Sequence, residues 1–162
     1  MRIICILFIA LFLGACQKSN DKLPIWGNRE PIEKTVDGKI TVDTLYHTIP
    51  DFKFVNQYGD TVTKEMVKGK IYVTDFFFTT CPTICPIMKR QMLKVYQKFK
   101  GQPDVILLSH TIDPEHDTPE VLKKYADELG VTGNQWMFLT VNREQIYKIA
   151  QSYLDAQTPY QD

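Results

Sequence analysis

Cys81 and Cys85, in Asp75-Phe-Phe-Phe-Thr-Thr-Cys-Pro-Thr-Ile-Cys-Pro86, are the side chains best suited to chemistry. They stand four residues apart, where a strand-like run over 71–78 gives way to an amphipathic run over 87–99. Two thiols so placed can chelate one soft metal ion or close one disulfide. Pro86 suits the first helical position, where its missing N–H costs nothing. Cys85 is then expected at the helix N-terminus, whose partial positive charge favours thiolate. Cys81, one loop earlier, can fold back toward it. Neighbouring thiolates repel each other, and relief comes from a bound cation or from oxidation.

Thiolate ligands select Cu(I), zinc or iron–sulfur clusters. Zinc takes four ligands and clusters take four cysteines. Cu(I) tolerates low coordination, so two thiolates with or without one imidazole suffice, and a copper ion is the expectation on ligand count. A purely structural disulfide across so short a loop would constrain the unfolded chain little. A Cys-x-x-Cys spacing would indicate a thioredoxin-type redox site; here the spacing is one residue longer. Of the three histidines, His47 reads as a surface residue and His116 as part of an exposed loop. His110 reads as a core residue of a buried strand, near enough to the strand's carboxyl end to be weighed as a substitute ligand. Met88 and Met92 share a helical face with Val95 and Phe99 and read as core.

The elements that must position these thiols follow from pattern. Residues 40–49 alternate partly, and Phe52 to Thr63 reads as a hairpin turning at Asn56-Gln-Tyr-Gly-Asp60. A short helical piece over 64–67 stops at Gly69. The apolar run 71–78 is expected to be a parallel strand buried on both faces. The helix after it buries Met88, Met92, Val95, Tyr96 and Phe99, with Lys89, Arg90, Lys94 and Lys98 outside. A second buried strand spans 105–112. Asp117-Thr-Pro-Glu120 opens the next helix, with Thr118 as cap and Pro119 at its first position. A third strand spans 136–141, and a third helix spans 143–154 with Ile146, Ile149, Ala150 and Tyr153 inward. This alternation predicts an α/β layer fold with right-handed crossovers and a functional edge at the carboxyl ends of its strands. Cys81 lies just past one such end; His110, Asp113 and Glu115 lie at the next.

Composition sets the broader bounds. Nineteen basic and nineteen acidic side chains leave no net charge to draw the chain to nucleic acid. A hydrophobic share of 44% fits a globular domain. Arg2 and the apolar stretch 3–13, too short to span a bilayer of ~30 Å, read as a secretory signal. Leu13-Gly-Ala-Cys16 resembles a bacterial lipobox. That resemblance implies cleavage before Cys16 and acylation of its thiol. The expected division is a signal peptide over 1–15, a lipidated Cys16 with a flexible tether over 16–39, and a domain over 40–162. The expected location is the bacterial cell envelope, lipid-anchored and facing the periplasm. That compartment is oxidising, so a dithiol there must be kept reduced by a partner or held by a metal.

The stretch Tyr72-Val-Thr-Asp-Phe-Phe-Phe-Thr-Thr-Cys-Pro-Thr-Ile-Cys-Pro-Ile-Met88 resembles the Sco/SenC family, as does Thr111-Ile-Asp-Pro-Glu-His-Asp-Thr-Pro-Glu-Val-Leu122. The resemblance implies a thioredoxin-like fold with an N-terminal hairpin, and copper binding by two cysteines and one histidine. Cys81 and Cys85 match the family's sulfur ligands, and Asp113 matches the aspartate of its Asp-Pro-Glu motif, with turn formation as its plain role. The family histidine lies beyond the third helix, at the start of a hairpin followed by a last helix. This sequence ends at Gln157-Thr-Pro-Tyr-Gln-Asp162; the expected domain therefore misses the C-terminal hairpin, the last helix and that histidine. The implied function is a membrane-tethered metallochaperone rather than a turnover enzyme. It would deliver copper to the dinuclear copper site of a cytochrome c oxidase subunit during assembly, or reduce that site's cysteines. The alternatives are a thiol–disulfide oxidoreductase of the cell envelope and a non-functional fragment.

Overall fold

The computed structural model describes residue 25 and residues 27–157, so the signal segment and Cys16 lie outside the described residues. The first elements are β1 (Arg29–Val36) and β2 (Lys39–Tyr46), an antiparallel pair in register from Arg29 opposite Tyr46 to Val36 opposite Lys39. Asp37 (φ 52°) and Gly38 (φ 75°) form the two-residue turn, both in the left-handed region that this tight connection requires. Residues 29–36, expected to belong to a flexible tether, are thus a strand. The Asp37-Gly38 pair, a strong hairpin signal, lets β2 recruit the segment before it.

The second sheet has five strands in the order β4-β3-β7-β6-β5. β3 (Lys53–Asn56) and β4 (Thr61–Thr63) form the expected antiparallel hairpin. Its turn is closed by Asn56 Oδ1, which accepts from Tyr58 N–H and Asp60 N–H, each at 2.9 Å. The one-turn helix α1 (Lys64–Val67) follows, and Gly69 (φ 73°) stops it. Then come β5 (Ile71–Phe77), α2 (Cys85–Phe99), β6 (Val105–Thr111), α3 (Pro119–Glu128), β7 (Trp136–Thr140) and α4 (Arg143–Gln157). β5, β6 and β7 run parallel, and β3 is antiparallel to β7.

Strand alternation divides the interior into two cores. On one face Phe77, Leu107, Trp136 and Phe138 pack against Met92 and Tyr96 of α2 and Leu122 and Ala126 of α3. On the other, Phe54, Ile106, Leu108, Met137 and Leu139 pack against Ile146, Ile149 and Tyr153 of α4. All seven residues of β6 are buried. β5, expected to be buried on both faces, is largely half-buried, and Ile71 is 69% exposed. Its position explains this: among the described residues it is an edge strand, paired with β6 alone.

Candidate metal centre

The chain leaves β5 at Phe77 and turns at once, Cys81 N–H donating to Phe78 O at 3.2 Å. Pro82, Thr83 and Ile84 are exposed. Ile84 caps α2 without a side-chain bond, its carbonyl accepting from Ile87 N–H and Met88 N–H, each at 3.0 Å. Cys85 is the first residue of α2 and Pro86 the second. Both thiols are free and sit at the rim of the first core, Cys81 8% and Cys85 6% exposed.

The two sulfurs interact, and their environments separate them. The Cys85 thiol donates to the Cys81 sulfur, and the backbone N–H groups of Cys85 and Thr83 also point at it; together they pull Cys81 down to about 7. Cys85 moves the other way. Burial raises it first, then the hydrogen bond and negative charge of Cys81, and Asp75 adds to the rise. The expectation that the helix N-terminus makes Cys85 the readier thiolate is therefore reversed. The N–H groups at this helix start converge on Cys81, while Cys85 is turned into the core.

Behind Cys85 lies a small polar cluster in the apolar layer. Asp75, on the same side of β5 as Phe77, accepts from Ser109 Oγ at 2.5 Å, and Ser109 Oγ accepts from Trp136 Nε1 at 2.9 Å. Burial raises the Asp75 pKa, and the Ser109 bond partly offsets this. Asp75, Cys85, Lys89 and Tyr125 line one narrow cavity there.

A second carboxylate braces the loop. Asp117 is fully buried and accepts from Thr79 N–H at 3.1 Å, Thr79 Oγ1 at 2.5 Å and Thr111 Oγ1 at 2.5 Å. Asp113 makes the turn beside it: its N–H donates to Thr111 Oγ1 at 3.0 Å, and its carbonyl accepts from His116 N–H and Asp117 N–H. Glu115 pairs with Arg143 at 3.3 Å, away from the sulfurs. Asp75 was legible only as a charge interrupting an apolar strand. Asp117 looked like part of a helix start, and nothing in the sequence linked it to Thr79.

The histidines do not join the thiols. His110 is fully buried on β6, with its ring 5.3 Å from Phe76 and 4.9 Å from Phe54. Those neighbours belong to the second core, while Cys81 and Cys85 belong to the first. His110 therefore lies across the sheet from the sulfurs and cannot serve as their third ligand. His116 is in an exposed loop, as expected. His47, expected at the surface, is half-buried; its Nε2 bonds to Ser152 O at 3.0 Å, tying the base of the β1–β2 hairpin to α4. Met92 is buried in the first core. Among the described residues, no three His, Cys, Asp or Glu side chains are grouped to hold a metal ion. The donor set is two adjacent sulfurs. It fits a soft ion of low coordination number such as Cu(I), and does not fit a four-coordinate zinc or cluster site.

The SCO1/SenC family model matches residues 41–159. The SCO1 protein homolog of Bacillus subtilis (strain 168) is 39% identical over 104 residues, which are 64% of this chain and 54% of that protein. The chain thus spans about half the length of the curated relatives it matches. Among solved structures, BsSco, described as having a disulfide switch and as a member of the Sco family of cytochrome c oxidase assembly proteins, superposes with a TM-score of 0.58. It is 38% identical, and the match covers 64% of this chain and 62% of that one. ScoI of Bradyrhizobium japonicum, solved with copper bound, gives a TM-score of 0.57 at 27% identity, covering 65% and 66%. The fold is the thioredoxin-like fold of these Sco structures. By the extent of the family match, the chain belongs to the SCO1/SenC family.

Proposed function

We propose that this chain binds a copper ion through Cys81 and Cys85 and serves cytochrome c oxidase assembly, handing copper to the subunit that carries the dinuclear copper site. The observation that carries this reading is the sulfur pair itself, placed at the rim of the fold with both thiols free. Relatives with the same fold have been solved with copper bound. The sulfurs are also held unequally, so that Cys81 is ready to meet a soft cation at neutral pH while Cys85 ionises as the ion arrives. Lipidation at Cys16 would tether the domain to the outer face of the cytoplasmic membrane or to the outer membrane; the Leu13-Gly-Ala-Cys16 segment supports that part of the reading. Anaerobic Cu(I) titration tests the site. Wild type is expected to take up one ion per chain, and the Cys81→Ser, Cys85→Ser double variant none. Equal uptake by the two removes copper from the account.

The thiol asymmetry favours a second reading, in which the pair reduces a partner's disulfide. Cys81 thiolate attacks one sulfur of that disulfide and releases the other as thiolate. Cys85, deprotonated, then attacks the Cys81 sulfur and frees the second partner thiol. Two electrons pass to the partner and a Cys81–Cys85 disulfide remains. Alkylation by iodoacetamide across pH checks the premise. The Cys81 rate is expected to rise with a midpoint near the 7 of the wild-type thiol. In Cys85→Ala that midpoint should climb toward the ordinary thiol value of ~8.5, because the largest cause of the shift is gone. An unmoved midpoint refutes the Cys85 hydrogen bond as the cause, and a wild-type Cys81 midpoint at or above that of Cys85 refutes the assignment of Cys81 as attacking thiol.

A further inference from the structure

The loop that carries Cys81 is joined to the neighbouring strand and helix through one buried carboxylate. We infer that Asp117 is the positioning residue of the thiol pair. By holding Thr79 against Thr111, it keeps Cys81 within reach of Cys85 and so sets how readily the pair chelates or closes. This rests on the reading of Cys81 and Cys85 as the working residues, and adds what makes them a pair.

Thr79 stands two residues before Cys81, and Thr111 is the last residue of β6. Asp117 lies in the connection between β6 and α3. Its carboxylate accepts both the N–H and the hydroxyl of Thr79 and the hydroxyl of Thr111. A carboxylate with no exposure must keep its donors, because losing one leaves it unsatisfied without water to replace it. Of the other bonds of this stretch, Cys81 N–H to Phe78 O and the Cys81 Sγ contact with Thr83 Oγ1 at 3.9 Å stay inside the loop, and the Cys85 thiol and N–H on the Cys81 sulfur join it to the start of α2. They shape it without fixing it to the sheet. Pro82, Thr83 and Ile84, between the two sulfurs, are exposed. A loop so open, released at Thr79, samples many sulfur–sulfur separations. Chelation and disulfide closure both require the sulfurs side by side, so both depend on the same effective concentration of one sulfur at the other. The clamp therefore has a signature: removing it weakens both equilibria by a common factor. A staple that merely stabilises the fold lowers the melting temperature and leaves both unchanged in the folded protein.

The test compares wild type, Asp117→Ala, Asp117→Asn, Thr79→Val and, as a destabilised control in the opposite core, Ile149→Val. Cu(I) affinity is measured by competition with a chromophoric chelator, and disulfide stability by equilibration with a glutathione buffer. Both are read at 10 °C on protein shown to be folded by circular dichroism. Asp117→Ala is expected to lose about tenfold in both equilibria; for the disulfide that is about 30 mV toward the more oxidising side. Asp117→Asn should recover most of the loss, since its amide oxygen in the place of Oδ2 still accepts from Thr79 N–H and Thr111 Oγ1, and its NH2 can donate to Thr79 Oγ1. Ile149→Val should lower the melting temperature and leave both equilibria within twofold of wild type. Asp117→Ala behaving like that control overturns the inference, and so does a change in one equilibrium without the other. Should Asp117→Ala fail to fold, Thr79→Val decides: a parallel loss of about threefold supports the clamp and no loss overturns it. If wild type takes up no Cu(I), the copper reading fails by itself, and the glutathione equilibrium still decides the role of Asp117.

Discussion

Cys85 begins a helix and yet holds its proton more firmly than Cys81, because its sulfur is turned into the core while the N–H groups at the helix start meet the other sulfur. Position along a helix matters less here than which sulfur the donors face. His110 shows the same priority of environment over type. Both its ring nitrogens are buried without a hydrogen-bond partner, and burial pushes it down to about 4 from its ordinary 6.5. The depressed value means that the unfolded chain takes up this proton first as pH falls. The stability it concerns is fully present above pH 6.5, declines as pH drops from there, and is gone by about pH 4. The difference is worth about 3 kcal/mol. Urea unfolding of wild type and His110→Phe at pH 7 and pH 4.5 should show the variant losing most of that dependence. Equal loss in both proteins would show that His110 is not its source.

Among the elements, the β1–β2 hairpin stands apart. Every residue of β2 is exposed, and the hairpin closes on itself through Asp37-Gly38. One link to the main body runs from His47, just past β2, to Ser152 of α4. Gly38 at φ 75° occupies backbone space that a β-branched residue enters at a cost of about 1 kcal/mol or more. Gly38→Val should therefore speed amide exchange in β1 and β2 several-fold while β6 amides keep their protection and the melting temperature moves by less than ~2 °C. Faster exchange across β6 as well would mean that the hairpin is part of the cooperative unit. The order of β5, α2 and β6 was legible because an almost unbroken apolar run gives way to an apolar period of 3.6 at the cysteines. β1 was missed because most of its residues are polar and exposed; only the turn after it marked it.

At the scale of the whole molecule, a single buried strand carries two cores. Leu107 and Leu108 are adjacent in β6, both fully buried, and they point into opposite layers. Each change to Ala is expected to cost ~2–5 kcal/mol. Because both layers share one sheet, both variants should lower the same transition, with far-UV circular dichroism and tryptophan fluorescence still coincident. Separate transitions in Leu108→Ala would mean that the layer under α4 unfolds alone. The sheet also decides what the thiols can recruit. His110 is one residue from Ser109 in sequence, yet Ser109 reaches the polar cluster behind Cys85 while His110 faces the other layer.

By itself the sequence determined the strand–thiol–helix junction, the pairing of Cys81 with Cys85, the α/β alternation and the family, since local periodicity and a specific motif carry all four. Tertiary structure alone decided which thiol is the more acidic, that Asp117 grips Thr79 across an interval of 38 residues, and that β5 lies at an edge. It also decided that His110 is no ligand. The physical reason is common to them. Proton affinity, hydrogen-bond partnership and the side of a sheet are set by what surrounds a group in space, and the chain's order does not record which distant segments will supply those surroundings.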